Sequence, residues 1–431
     1  MRTPSGFPAG TLSPAQVLTA YGLKQNCLAN APTLTIGIGS LGGGVVQADI
    51  DNAVAAWGMA KPNITVRTVG GAVNDPSDAD STVENSLDLL VASFTWWWLT
   101  GKPAEIMICF GPNASNGMTL VTKDLAAAGC KVASWSWGSA ASTWDANERA
   151  GLAAAFLAAV QAGVTFFAAS GDNSVDDGTS APSADYPCSD PCVWAVGGTK
   201  LTLKADGSIA LEQAWGDGQR GDEGGGGGFD PSEPMPPYQQ GIVPAEQLRF
   251  LRGVPDTSAN ADPNSGWQIS ANGSWTVVGG TSASSPFTAA VVAAAKATGA
   301  LGTGLLTPAI YAARATACND ITTGSNGDPA TAGWDPATGL GSPKSAGFIQ
   351  AISGQAAPQP QPQPNPPAPN PPPPVPPAPA PAPVLVRRHQ ALAWAVEGIV
   401  ENWKHGMSLS DVQSAADQGL GDNWPDGAIT K

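Results

Sequence analysis

Apolar residues along the first 357 positions fall into short continuous runs. Strand-length runs occupy 34–39, 105–110, 131–137, 164–169 and 192–196, and none alternates with polar residues as a half-solvated strand does. Between them lie alanine-rich stretches with helical spacing at 49–59, 81–91, 147–162, 285–298 and 308–316. Buried strands separated by helices predict an α/β domain with a mostly parallel central sheet covered on both faces. Glycine-rich segments at 221–228 and 322–341 break the alternation and are expected to be loops at one rim, where α/β folds place their sites.

The pattern changes at residue 358. Of the 26 residues from 358 to 383, 16 are proline. Such a segment has few backbone donors and is expected to extend as polyproline II, about 3.1 Å per residue, as a spacer. Residues 384–431 read as a small helical tail. Leu392, Val396, Ile399 and Trp403 recur at helical spacing, and Ser410-Asp411-Val412-Gln413 resembles a capping box. The expected organisation is a globular domain over 1–357, a linker over 358–383 and a tail over 384–431 that docks either on the main domain or on a partner the sequence does not identify.

Composition narrows the chemistry. Charged residues make up 13% of the 431, with 20 basic against 35 acidic, a formal net charge of −15. That balance opposes nucleic acid and anionic membrane as partners. No apolar stretch is long enough for a membrane span, and Met1–Pro14 lacks the apolar core of a signal peptide. The six cysteines are too few for a disulfide-built scaffold, although oxidised pairs suit an exported protein. Both histidines, His389 and His405, lie beyond the proline-rich stretch. The main domain therefore lacks a Ser-His-Asp triad, a Cys-His pair and a histidine-bound metal.

Three motifs carry chemistry under that constraint. Gly280-Thr281-Ser282-Ala283-Ser284-Ser285-Pro286 precedes an alanine-rich helix and presents a hydroxyl where helix N–H groups favour negative charge. A serine hydroxyl needs a base. Glu84-Asn85-Ser86-Leu87-Asp88 puts two carboxyls one helical turn apart, where repulsion favours a shared proton. Ser170-Gly171-Asp172 puts an acid at the carboxyl end of a buried strand. Each alone is compatible with a capped helix, a solvated helix face or a turn.

Together, in this order and without histidine, the three resemble the sedolisin family of serine-carboxyl peptidases. Further segments carry the likeness: Leu41-Gly42-Gly43-Gly44, Ser136-Trp137-Gly138, the run from Tyr186 to Thr199, Gly226-Gly227-Gly228 with Tyr238-Gln239, and the run from Arg252 to Pro263. It spans about 12–355. The resemblance implies a subtilisin-like three-layer domain and an acid-acting serine-type peptidase, secreted and monomeric, that cleaves proteins or peptides. It implies Ser282 as nucleophile, Glu84 as general base, Asp88 as its partner and Asp172 as a protonated oxyanion donor. It assigns main chain at Ser136, Trp137 and Gly138 to substrate binding. One structural Ca²⁺ is implied, held by Asp320 and Asp335 with carbonyls of Ile321, Thr331 and Gly333. Family members often carry a glutamate where this chain has Ser40, and glycine at the position of Thr331. They are made with a propeptide, whereas Leu12–Leu18 resembles the opening of the mature domain. The alternatives are a catalytically silent relative that binds through its tail, and a subtilase that borrows a tail histidine.

Overall fold

The computed structural model describes residue 8 and residues 10–114, 116–218, 222–245, 250–299, 304–354, 385–387 and 428–430. Contacts divide the chain into a unit at Met1–Gln359 and a second at Pro360–Lys431. In the second unit the described residues form one antiparallel pair, Leu385–Arg387 with Ala428–Thr430. The expected linker and the expected tail helices lie outside the described residues.

In the first unit the strands run β1 (Thr35–Ser40), β2 (Asn63–Thr68), β3 (Glu105–Phe110), β4 (Val132–Trp135), β5 (Ser139–Ala140), β6 (Thr165–Ala169), β7 (Asp185–Tyr186), β8 (Val193–Leu203), β9 (Ile209–Ala214), β10 (Gly228–Pro234), β11 (Leu251–Val254), β12 (Thr257–Asn260), β13 (Trp267–Ala271), β14 (Ser274–Val278), β15 (Cys318–Asn319) and β16 (Ser342–Pro343). The helices are α1 (Pro14–Ala20), α2 (Gln47–Trp57), α3 (Ala79–Thr100), α4 (Gly117–Ala127), α5 (Ala146–Gln161), α6 (Thr281–Thr298), α7 (Thr307–Ala317) and α8 (Ser345–Ser353). Eight strands form one sheet in the order β12-β8-β6-β4-β1-β3-β2, parallel throughout, with β9 added antiparallel to β8. This is a subtilisin-like α/β architecture with helices on both faces.

Strand β1 shows how sequence sets the layers. Ile36 and Ile38 point into the core shared with α3 and α6. Gly37 and Gly39 point the other way, where a Cβ on Gly39 would stand 2.7 Å from the Trp135 ring. Glycine there lets a large indole lie flat on the sheet. The opposite core gathers Leu125 of α4, Leu152 and Phe156 of α5, and Trp135.

Two helices carry the site. Helix α3 is buried from Asn85 to Trp96, where Leu87, Leu89, Leu90, Val91 and Phe94 pack into the core and the polar Asn85, Ser86, Asp88, Ser93 and Thr95 are buried among them. Asp78 caps it and Gly101, at φ 71°, ends it. It runs well past the expected 81–91. Helix α6 begins at Thr281, four residues before the expected start, so Pro286 lies inside the helix rather than in its first turn. The missed elements have weak signals. Strand β2 is a mostly exposed edge, and α4 opens on glycine without a capping side chain.

Candidate active site

Asp88 stands within the shielded stretch of α3 and Glu84, half-buried, at its edge; Ser282 is the second residue of α6, which packs against it. The Ser282 and Ser136 hydroxyls lie beside the Glu84 carboxyl and favour its ionised form. Ser136 Oγ also donates to Asp88 Oδ1 at 2.7 Å. Burial pushes Glu84 up to about 7 against the pull of both hydroxyls, and the Asp172 charge adds to the rise. Asp88 is raised well above its ordinary value, first by burial and then by Glu84. Glu84 Oε1 and Asp88 Oδ2 are buried and accept no hydrogen bond from the surrounding donors.

Pro286 has a local effect. It has no N–H for the carbonyl four residues earlier, which is that of Ser282. Ser136 Oγ stands 3.3 Å from that carbonyl. The proline thus ties the segment after β4 to the first turn of α6. As the second helical residue, Ser282 also has an N–H with no intrahelical acceptor.

Asp172 follows β6. Its Oδ1 accepts from Thr281 N at 2.7 Å and Thr281 Oγ1 at 2.8 Å. Those donors favour the ionised form, yet burial is stronger and the net shift is upward. The other oxygen, Oδ2, lies under Gly280, where a Cβ would stand 2.5 Å away. Gly280 also has φ 96°, so glycine is required twice over. The glycine run packs against the same turn: Gly226 N donates to Gly171 O at 2.8 Å and Gly224 N to Asp172 O at 3.0 Å. A Cβ on Gly226 would collide with Ser170 O.

A second acid pair lies behind this turn. Asp177 and Asp185 hydrogen-bond each other. Burial pushes Asp177 up to about 6 and raises Asp185 further. Asp185 Oδ1 lies beneath Gly138 and Asp177 Oδ1 beneath Gly171. Neither acid stood out in the sequence.

Comparison with known proteins agrees with this geometry. The model of the subtilase family matches residues 104–334. Kumamolisin from a Bacillus species is 34% identical over 83% of this chain and 67% of its own length. Sedolisin from a Pseudomonas species is 29% identical over 77% of this chain and 59% of its length. The solved structure of Pseudomonas sedolisin, a serine-carboxyl proteinase, superposes with a TM-score of 0.71 at 27% identity, covering 81% of this chain and all of that one.

The chain belongs to the sedolisin family.

The remaining expectations for a sedolisin-family chain divide. The Ser136 side chain is engaged with the acid pair, while Trp137 and Gly138 line a cavity of about 440 Å³. Ser40, where relatives often carry glutamate, is buried and donates to Gly42 O at 2.9 Å. All six cysteines stand as free thiols. Among the described residues no helix is long and apolar enough to cross a membrane.

The loop assigned to calcium brings its two acids onto one segment. Asp320 Oδ2 accepts from Gly333 N and Asp335 Oδ2 from Thr331 N, each at 2.9 Å. Gly333 has φ 85°, and Thr331 avoids the left-handed region, so threonine is tolerated there. Among the described residues no three His, Cys, Asp or Glu side chains gather as a metal cluster. The assigned set holds only two acids, and its other donors are main-chain oxygens, a composition that fits a hard cation.

Thr281 is the site residue that sequence reading passed over. It sits inside the quoted motif, next to the serine, but only the fold shows it gripping Asp172.

Proposed function

We propose that this chain is an acid-acting serine-carboxyl peptidase. The observation that carries the reading is the Ser282 hydroxyl set against a pKa-raised Glu84 in a domain without histidine. Ser282 Oγ attacks the scissile carbonyl as Glu84 takes its proton. An acyl-enzyme forms on Ser282, and Glu84 returns the proton to the leaving amine. Water then attacks the acyl carbon with Glu84 again as base, and Ser282 leaves with its proton. Ser136 holds Asp88, the second carboxyl of the pair, by donating to its Oδ1.

Asp172 is a neutral donor to the oxyanion, beside the Ser282 N–H. A carboxylic acid serves in that way only while protonated, and burial raises Asp172 in that sense. The acid limb of the rate profile is the addition of a second proton to the Glu84–Asp88 pair. The alkaline limb is the loss of protons from Asp172 and the pair. Substrates are proteins or peptides, and an acidic extracellular setting follows from that pH dependence. In the loop at 320–335, Asp320, Asp335 and the carbonyls of Ile321, Thr331 and Gly333 would hold one Ca²⁺, which would fasten the loop without entering the reaction.

The test is digestion of a denatured protein across about pH 3–8, with and without chelator. Turnover that peaks on the acidic side of neutrality and falls as Asp172 and the pair lose their protons is expected, with chelator lowering thermal stability. A maximum above about pH 7 would falsify the mechanism.

A further inference from the structure

The cavity of about 440 Å³ lies between α4, α5 and the segment after β4, walled by Leu41, Met118, Trp137, Trp144 and Leu152, with Glu148 among its lining. Its inner wall continues from Ser136, whose hydroxyl stands 3.3 Å from the carbonyl of Ser282. A peptide presented to Ser282 along Ser136–Gly138 therefore has this cavity within side-chain reach.

Its chemistry is not that of a plain apolar pocket. Trp144 is held by an edge contact to Tyr186, ring centroids 4.9 Å apart, and by its Nε1 donating to Ser139 O at 3.3 Å. Trp137 faces the same space. Glu148 stands half-buried in the first turn of α5. Its backbone N–H donates to Asp145 Oδ1, but its carboxylate forms no hydrogen bond or ion pair among the described residues. The adjacent cation, Arg149, is committed elsewhere, to Asp230 at 2.7 Å and Glu233 at 2.9 Å. Two indole faces beside an unpaired carboxylate suit a long side chain with an apolar stem and a cationic head.

We propose that this cavity is a substrate subsite that selects arginine or lysine, with Glu148 as the residue that reads the charge. The proposal rests on the peptidase reading of Ser282. The acidic balance of the chain, 35 acidic against 20 basic residues, adds a field that favours cationic peptides.

The experiment uses the full chain and fluorogenic peptides at about pH 5. Each position on the acyl side of the cleaved bond is varied in turn among Arg, Lys, norleucine and Glu. The wild type is expected to prefer Arg and Lys over norleucine at one position. Glu148→Gln should cut that ratio about fivefold while kcat/KM for the norleucine peptide stays unchanged. Glu148→Lys should turn the preference toward Glu. An Arg-to-norleucine ratio unmoved by both variants at every position, in an enzyme that turns over, overturns the subsite and leaves the peptidase reading intact. If the wild type cleaves no peptide and matches Ser282→Ala, the peptidase reading itself falls and the subsite with it.

Discussion

Glu84 and Asp88 stand one turn apart on a single helix, whereas Asp177 follows a short helical turn and Asp185 opens β7. Burial raises both pairs, and the charge of Asp172 acts on Glu84 on one side and on Asp177 and Asp185 on the other. Only the first pair meets a hydroxyl at a helix N-terminus. Asp177 and Asp185 lie under glycines, with main chain between them and the cleft. A perturbed carboxyl is thus no sufficient sign of a catalytic group. Under the proposed mechanism, what separates the pairs is whether a nucleophile and an oxyanion donor converge on them.

The sharpest way to break that contrast is to remove the hydroxyl. Ser282→Ala should lower kcat by about 10⁴-fold or more, with both carboxyl pairs intact. Replacing the base comes next: Glu84→Gln should cost about 10²–10⁴-fold. Asp172→Ala should lower kcat by about 10²–10³-fold. Asp172→Asn is more informative, because the amide keeps a donor that cannot ionise. It should retain more rate than alanine, and its alkaline limb should move upward in a pH–rate profile. An alkaline limb that stays in place in the asparagine variant would remove Asp172 from the oxyanion role. Smaller in rate is Gly280→Ala, whose methyl would meet Asp172 Oδ2 in a backbone conformation that disfavours side chains. About tenfold lower kcat and a loss of roughly 1–2 kcal/mol in urea unfolding are expected.

The contrast also marks what could be read in advance. The parallel sheet followed from continuous apolar runs, because buried strands need no polar face. The first acid pair was legible because both members share one helical face, four residues apart. Asp172 was legible from its place after a strand. Asp177 and Asp185 were not, since seven residues lie between them in sequence and only the fold closes the gap. The same holds for Thr281 on Asp172 and for Ser136 bridging to Asp88, which join elements more than 45 residues apart. The start of α6 was misplaced because proline is ordinarily a first-turn residue. Here it stands inside the helix, and Ser136 faces the carbonyl it leaves without a donor.

The smallest effect on rate belongs to the second pair, and it is best read as stability. Burial holds the native pKa of Asp177 at about 6, above that of an unfolded aspartate. The native state therefore keeps a proton that the unfolded chain has released. This contribution is fully present below about pH 4 and is lost as pH rises through about 6. In a Ser282→Ala background, saturated with calcium, Tm should fall between about pH 4.5 and pH 7. Asp177→Asn supplies a permanent donor to Asp185 and should flatten that fall, recovering on the order of 2–3 kcal/mol at neutral pH. In the active enzyme the same substitution should leave kcat within about threefold of wild type. If Asp177→Asn instead removed turnover as thoroughly as Glu84→Gln, the two pairs would form one catalytic unit. The distinction drawn from their neighbours would then be wrong.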